Sequence, residues 1–192
     1  MANSLFHQTS WDVHQKEAWE GQLGNQPAPI IIPGVLNVPS GTVKPRPGYP
    51  VFYNTDNDAW EYPTTADNIL RISAAILYEK SDIVDDDNIV EYDDGAVLEL
   101  LIRGTVWGRA RAALKPTQRL TWTHHATDVS MRGWTLATDP SVGSGLADED
   151  AVAAATTAAL KALGATRLSS ISPRAAEANG LIEIYLNGGG IY

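Results

Sequence analysis

Eight of the eleven prolines of this 192-residue chain fall between residues 27 and 63: Pro27, Pro29, Pro33, Pro39, Pro45, Pro47, Pro50 and Pro63. Each fixes φ at about −65° and removes a backbone donor, so no long helix or central strand should run through this segment. The apolar runs between them, Ile30-Ile31-Ile32, Val35-Leu36 and Val51-Phe52-Tyr53, predict short or edge strands in a stiff, extended stretch. The core must therefore be built mainly from the sequence that follows.

That sequence is patterned for β structure. Residues 69–78 (ILRISAAILY) read as one buried strand, with helix as the competing reading for so short an apolar run. Residues 96–111 (AVLELLIRGTVWGRAR) read as a hairpin turning at Arg103-Gly104, because glycine supplies positive φ. Past that point Trp107, Arg109 and Arg111 alternate with Val106, Gly108 and Ala110, which puts the two sets on opposite faces. Leu114-Lys115-Pro116 reads as a turn, and Leu120, Trp122 and His124 then alternate with Thr121 and Thr123. Short strands follow at 133–137 and 181–186. One helix is predicted at about 148–163: Asp148, Glu149 and Asp150 crowd its first turn, Lys161 lies near its end and Gly164 follows as a cap. Its apolar side is mostly alanine, which suits a lid or connector.

The fold class expected is mainly β, a sandwich, jelly-roll-like or barrel-like body of short antiparallel strands with one helix. Three parts are expected: an N-terminal arm over 1–25, a proline-rich extended segment over 26–66 and the β body over 67–192. In the arm, Trp11, Gln15 and Trp19 have helical spacing, and an extended arm that orders against a partner fits equally well. The N-terminus lacks the basic start and apolar run of a signal peptide, and no apolar stretch approaches the roughly 20 residues of a bilayer span, so a soluble protein is expected.

Charge narrows the partners. With 14 basic and 23 acidic residues the formal net charge is −9, a poor match to nucleic acid or to an anionic membrane. The chain has no cysteine, which removes disulfides, thiolate metal sites and cysteine nucleophiles together. The acidic residues of 82–94 invite a calcium reading, but EF-hand spacing is absent and a solvated loop is the plainer interpretation. His124-His125 is the one adjacent histidine pair; neighbours on a strand point to opposite faces, so they do not make a zinc site. Ser144 in VGSGL falls short of a nucleophile elbow, and Gly188-Gly189-Gly190 lacks the Lys-Ser/Thr of a phosphate loop. No constellation selects an enzyme, a metal or a cofactor. Trp107, Arg109 and Arg111 could instead form a flat aromatic and cationic face, or a half-exposed strand whose arginine stems cover the tryptophan.

The stretch 91–111 (EYDDGAVLELLIRGTVWGRAR) resembles the cement, or head-decoration, proteins of tailed bacteriophages. Their aromatic-acidic-Gly step is matched by Tyr92-Asp93-Asp94-Gly95, their hairpin by Val97 to Trp107, and their following turn by Leu114-Lys115-Pro116. The ending GATRLSSISPRAAEANGLIEIYLNG and the proline-rich start EGQLGNQ…IIIPGV are similar to the family's ends. The family's Gly-Val-Ala strand is replaced by Arg71-Ile72-Ser73-Ala74-Ala75, and the arm with Trp11 and Trp19 matches no part of the pattern.

The resemblance implies a non-catalytic virion protein on the outer surface of the capsid, bound where major capsid protein subunits meet and stabilising the expanded shell. It implies a homo-oligomer, trimer favoured over dimer, with no nucleic-acid or membrane partner and no cofactor. Trp11, Trp19, Ile31, Pro33, Val35, Trp107, Arg109 and Arg111 are the residues expected at the capsid or subunit interface. The alternative is a carbohydrate- or receptor-binding β module of a tail or fibre, which would use Trp107 or Trp122.

Overall fold

The computed structural model describes residues 18–24, 28–78, 90–137 and 175–187. The protein is mainly β. Among the described residues eight strands are formed: β1 (Ile30–Asn37), β2 (Pro50–Asn54), β3 (Ala59–Glu61), β4 (Ala74–Ile76), β5 (Val97–Arg109), β6 (Leu120–Thr123), β7 (Gly133–Leu136) and β8 (Leu181–Leu186). Five of them follow one another in the order β1-β3-β2-β4-β5, and β5 pairs back onto β1, so the sheet closes as a barrel. The β1–β3 pairing is parallel and the others are antiparallel. Closure removes most of the exposed edges that an open sheet would leave.

The prolines fit this barrel at positions where no donor is required. Pro50 is the first residue of β2. Within β1, Leu36 donates to the Ala96 carbonyl and accepts from the Gly95 amide. Donor direction alternates along a strand, so Pro33 points its nitrogen away from β5. On that side β3 reaches only Leu36 and Asn37. The two short runs expected around Pro33 are consequently a single eight-residue strand.

The 103–104 turn is replaced by an unbroken strand. β5 runs thirteen residues and changes neighbours in the middle. Its first half pairs with β1 as far as Arg103, and its second half pairs with β8 from Gly104 onward. Gly104 has φ +131°, and a Cβ there would lie 3.2 Å from the Pro29 side chain. Glycine therefore bends the strand between two partners and does not reverse it.

The single strand expected over 69–78 is also revised. The polar lead-in nucleates one helical turn, α1 (Ala66–Leu70), whose N-cap Thr65 side chain accepts from the Asn68 amide. Only Ala74–Ile76 is strand. Between them, Arg71 caps the turn, places its guanidinium 4.7 Å above the Phe52 ring and donates to the Tyr53 carbonyl. The helix expected at 148–163 lies outside the described residues.

Residues 18–24, expected in the arm, run beside the second half of β5. Gly21 donates to the Trp107 carbonyl at 2.7 Å, Trp107 to that of Gln22 at 2.9 Å and Gly24 to that of Thr105 at 2.7 Å. Ala18 is buried, and Glu20 pairs with Arg109. The proline-rich segment likewise contributes three barrel strands, so the body reaches from residue 18 through both expected boundaries.

Leu36, Val51, Leu100, Leu101, Val106, Ile182, Ile184 and Leu186 fill the interior. A two-stranded ribbon of β6 and β7 lies against the barrel, with Trp122 opposite Trp134. Trp134 is fully buried, and its indole donates to the Gly48 carbonyl at 3.0 Å. Trp122 packs 4.8 Å from the Tyr49 ring and 5.6 Å from that of Trp134. Aromatic burial of this kind supplies both contact area and edge-to-face attraction.

Candidate interaction surface

Three groups of side chains stand out. The first is an apolar row on the outside of β1. Inward-facing Ile32, Gly34 and Leu36 alternate with exposed Ile31, Pro33 and Val35. Val35 is 49% exposed, and Val97, its cross-strand partner on β5, is 68% exposed. Ile30, at the start of the strand, is exposed as well. Ile31, Pro33 and Val35, three of the expected interface residues, share this face.

The second group lies on the other half of β5. Trp107 and Arg109 are half-buried, and Val106, Gly108 and Ala110 are buried on the opposite face. Arg109 reaches Glu20 Oε1 at 2.7 Å, so its charge is already engaged within the chain. Arg111 donates to Asn179 Oδ1 at 3.2 Å and approaches the Met131 sulfur. Trp19 is exposed and stands edge-on to Tyr78, with ring centroids 6.0 Å apart. Trp11 lies outside the described residues. The expected site residues thus form two groups, separated along β5 by the bend at Gly104.

The third group is polar and was not legible in the sequence. Glu61 Oε1 accepts from Asn37 Nδ2 at 2.6 Å and from Asn57 Nδ2 at 2.5 Å. Burial would raise its carboxyl pKa, but the amides of Asn57, Asn37 and Asn54 outweigh that and hold it below the usual range. Tyr53 and Asp58 hydrogen-bond beside it, with the Tyr53 ring exposed at the end of the β2–β3 hairpin. Asn54, Asn57 and Glu61 come from the β2–β3 hairpin and its turn, and the parallel β1–β3 pairing brings Asn37 opposite Glu61.

Two further expectations concern the acidic loop and the histidines. Of the acidic stretch 82–94, Asp93 pairs with Lys44 at 2.6 Å and Asp94 accepts from the Val38 amide at 2.9 Å. Residues 82–89 lie outside the described residues. Among the described residues no three His, Asp or Glu side chains gather as a metal site. His124 and His125 diverge: His124 Nδ1 lies 3.0 Å from the Tyr62 hydroxyl, and His125 Nδ1 accepts from the Asp128 amide at 2.9 Å. Trp122 is only 3% exposed, so it cannot stack on a saccharide and the glycan role considered for it is withdrawn.

No protein-family model matches the chain, and no curated protein matches it at a significant level.

Proposed function

We propose that this protein is a structural cement, or decoration, protein: it binds the outside of a tailed-phage capsid where major capsid protein subunits meet and stabilises the expanded shell. The observation that supports this most is the exposed row of Ile31, Pro33 and Val35 with Val97 beside it. An exposed apolar row on a closed sheet, with the exposed Glu99 opposite Pro33 as its polar neighbour, suits a protein partner. Pro33 and the surrounding prolines stiffen the segment, which lowers the ordering cost of docking.

A ligand that binds only the expanded lattice stabilises it by simple linkage, and a homo-oligomer, a trimer before a dimer, multiplies modest contacts through effective concentration. The chain's net charge of −9 suits a shell exterior better than a DNA-facing interior. The alternative, a saccharide- or receptor-binding module, keeps the half-buried Trp107 of β5 and loses Trp122, which is buried.

The test is co-sedimentation of the full chain with expanded and unexpanded capsids of the cognate major capsid protein. Saturable pelleting with expanded capsids is expected, with loss of binding in Val35→Lys and Val97→Lys. Both positions are exposed, so stability should stay within about 0.5 kcal/mol of wild type. Undiminished occupancy by both variants would remove the β1 row from the interface, and absence of pelleting by the wild type would refute the cement reading.

A further inference from the structure

The β6–β7 ribbon is held on the barrel by a chain of polar atoms that crosses the aromatic cluster. Trp122 Nε1 lies 2.9 Å from the Tyr62 oxygen, and the Tyr62 oxygen lies 3.0 Å from His124 Nδ1. An indole nitrogen can only donate, so the Tyr62 oxygen is the acceptor in the first bond. A hydroxyl oxygen has two acceptor sites, so the direction of the second bond follows from burial: among the described residues His124 Nδ1 is the acceptor that the Tyr62 hydroxyl proton finds. With the bond so directed, His124 is neutral and carries its proton on Nε2.

Protonation reverses the second bond. Nδ1–H of an imidazolium would donate to the Tyr62 oxygen, and the hydroxyl proton would lose its acceptor. Tyr62 is 7% exposed and packs against Tyr49, Trp122 and His124, so water does not readily replace that acceptor.

The charged surroundings act in the same direction. Arg132, buried at the end of the 3-10 turn Val129–Met131, directs its guanidinium to the carbonyls of His125 and Ala126 at 2.6 and 3.0 Å. Burial, then the Arg132 charge, then His125 hold the His124 pKa below its ordinary 6.5. The groups facing the ring are therefore Tyr62 from the segment after β3, Arg132 from the segment before β7, and His125 next in the chain.

We propose that Trp122, Tyr62 and His124 form a proton-sensitive latch that fastens the β6–β7 ribbon to the barrel when His124 is neutral and loosens it when His124 is protonated. Two other bonds that fasten the ribbon, Trp134 to the Gly48 carbonyl and the Arg111 amide to the Trp134 carbonyl, contain no group that titrates in this range. Acid therefore weakens one end of the ribbon and leaves the rest in place. This inference does not depend on the capsid reading.

The experiment is an NMR titration of the full chain from about pH 8 to about pH 4.5, the range spanning histidine ionisation. It follows the His124 ring, the Trp122 indole proton and the exchange protection of the β6 and β7 amides. The Trp122 indole signal should move with the His124 midpoint, below 6.5, and ribbon protection should fall with it relative to β5. His124→Gln, which keeps an acceptor for Tyr62 but does not titrate, should abolish both changes, whereas His125→Gln should leave them. An indole signal indifferent to His124 protonation, or ribbon protection that holds while His124 titrates, would overturn the latch in the wild-type chain alone. Persistence of both changes in His124→Gln would overturn it as well.

Discussion

Replacing Gly108 by alanine tests how tightly the ribbon is seated. Gly108 lies on the buried face of β5, opposite Ile182 of β8. A Cβ at this position would lie 2.7 Å from Ile184 Cδ1 and 2.9 Å from both Cδ1 and Nε1 of Trp134. All three distances are below van der Waals contact, and the Trp134 indole is anchored by its bond to the Gly48 carbonyl. Either the isoleucine terminus rotates or the ribbon shifts outward. Overpacking of this kind costs about 1–3 kcal/mol.

A double-mutant cycle separates the two responses. Ile184→Val deletes the nearest atom and alone should cost about 0.5–1.5 kcal/mol. If the clash with Ile184 dominates, the double variant should be more stable than the sum of the single effects by at least about 0.5 kcal/mol. Urea denaturation of all four proteins measures the cycle, with unchanged m values certifying that only stability has moved. A Gly108→Ala variant within about 0.5 kcal/mol of wild type would refute the seating argument, and strict additivity would place the strain on Trp134 instead.

Two more predictions concern the barrel. The Glu61 carboxyl titrates below its ordinary 4.5 in the folded state, so the unfolded chain takes up the proton first; its stabilisation is complete above that value and fades as the pH falls through the lower folded one. The stability gap between wild type and Glu61→Gln, read as urea midpoints, should therefore narrow between about pH 7 and about pH 3, and a gap independent of pH would refute the role assigned to the three amides. Removing residues 1–24 deletes the backbone bonds from Gly21, Gln22 and Gly24 to β5 and the Glu20–Arg109 pair, so the urea midpoint should drop, whereas removing residues 1–17 keeps all of these. Equal midpoints for the two truncations would show that the strip beside β5 contributes nothing to stability.

Period-two alternation carried much of the fold. It placed Leu181–Leu186 and the Trp122 face of β6 correctly, because each of these depends only on which residues can be wetted. Two errors had local causes. Gly104 was read as a reversal because positive φ is what a tight turn needs, but a strand changing partners needs the same freedom. Residues 69–78 read as one strand on their apolar content, whereas in the structure the Thr65 cap folds the preceding residues into a helical turn that runs to Leu70. The parallel β1–β3 pairing and the return of β5 to β1 leave no local trace, since closure is settled by non-local packing.

The same limit applies to the sites. Ile31, Pro33 and Val35 are neighbours within one strand, but Tyr62 and His124 meet across 62 residues. Nothing within either neighbourhood announces the other. Exposure of the tryptophans was equally hidden: Trp19 is on the surface, whereas Trp122 and Trp134 are in the core.

The position of β5 has a consequence for synthesis. It is flanked by β1 and β4 along one half and by β8 along the other, and β8 ends 77 residues later in the chain. At about 5–20 residues per second, a ribosome takes roughly 4–15 s to deliver that partner. Through this interval the nascent chain can assemble its first five strands, yet the 104–109 edge of β5, with Val106 at its centre, has no strand on its β8 side. The time at greatest risk of wrong pairing is therefore set by translation, and slowing the ribosome between β5 and β8 should lower the soluble yield without changing the stability of the finished protein.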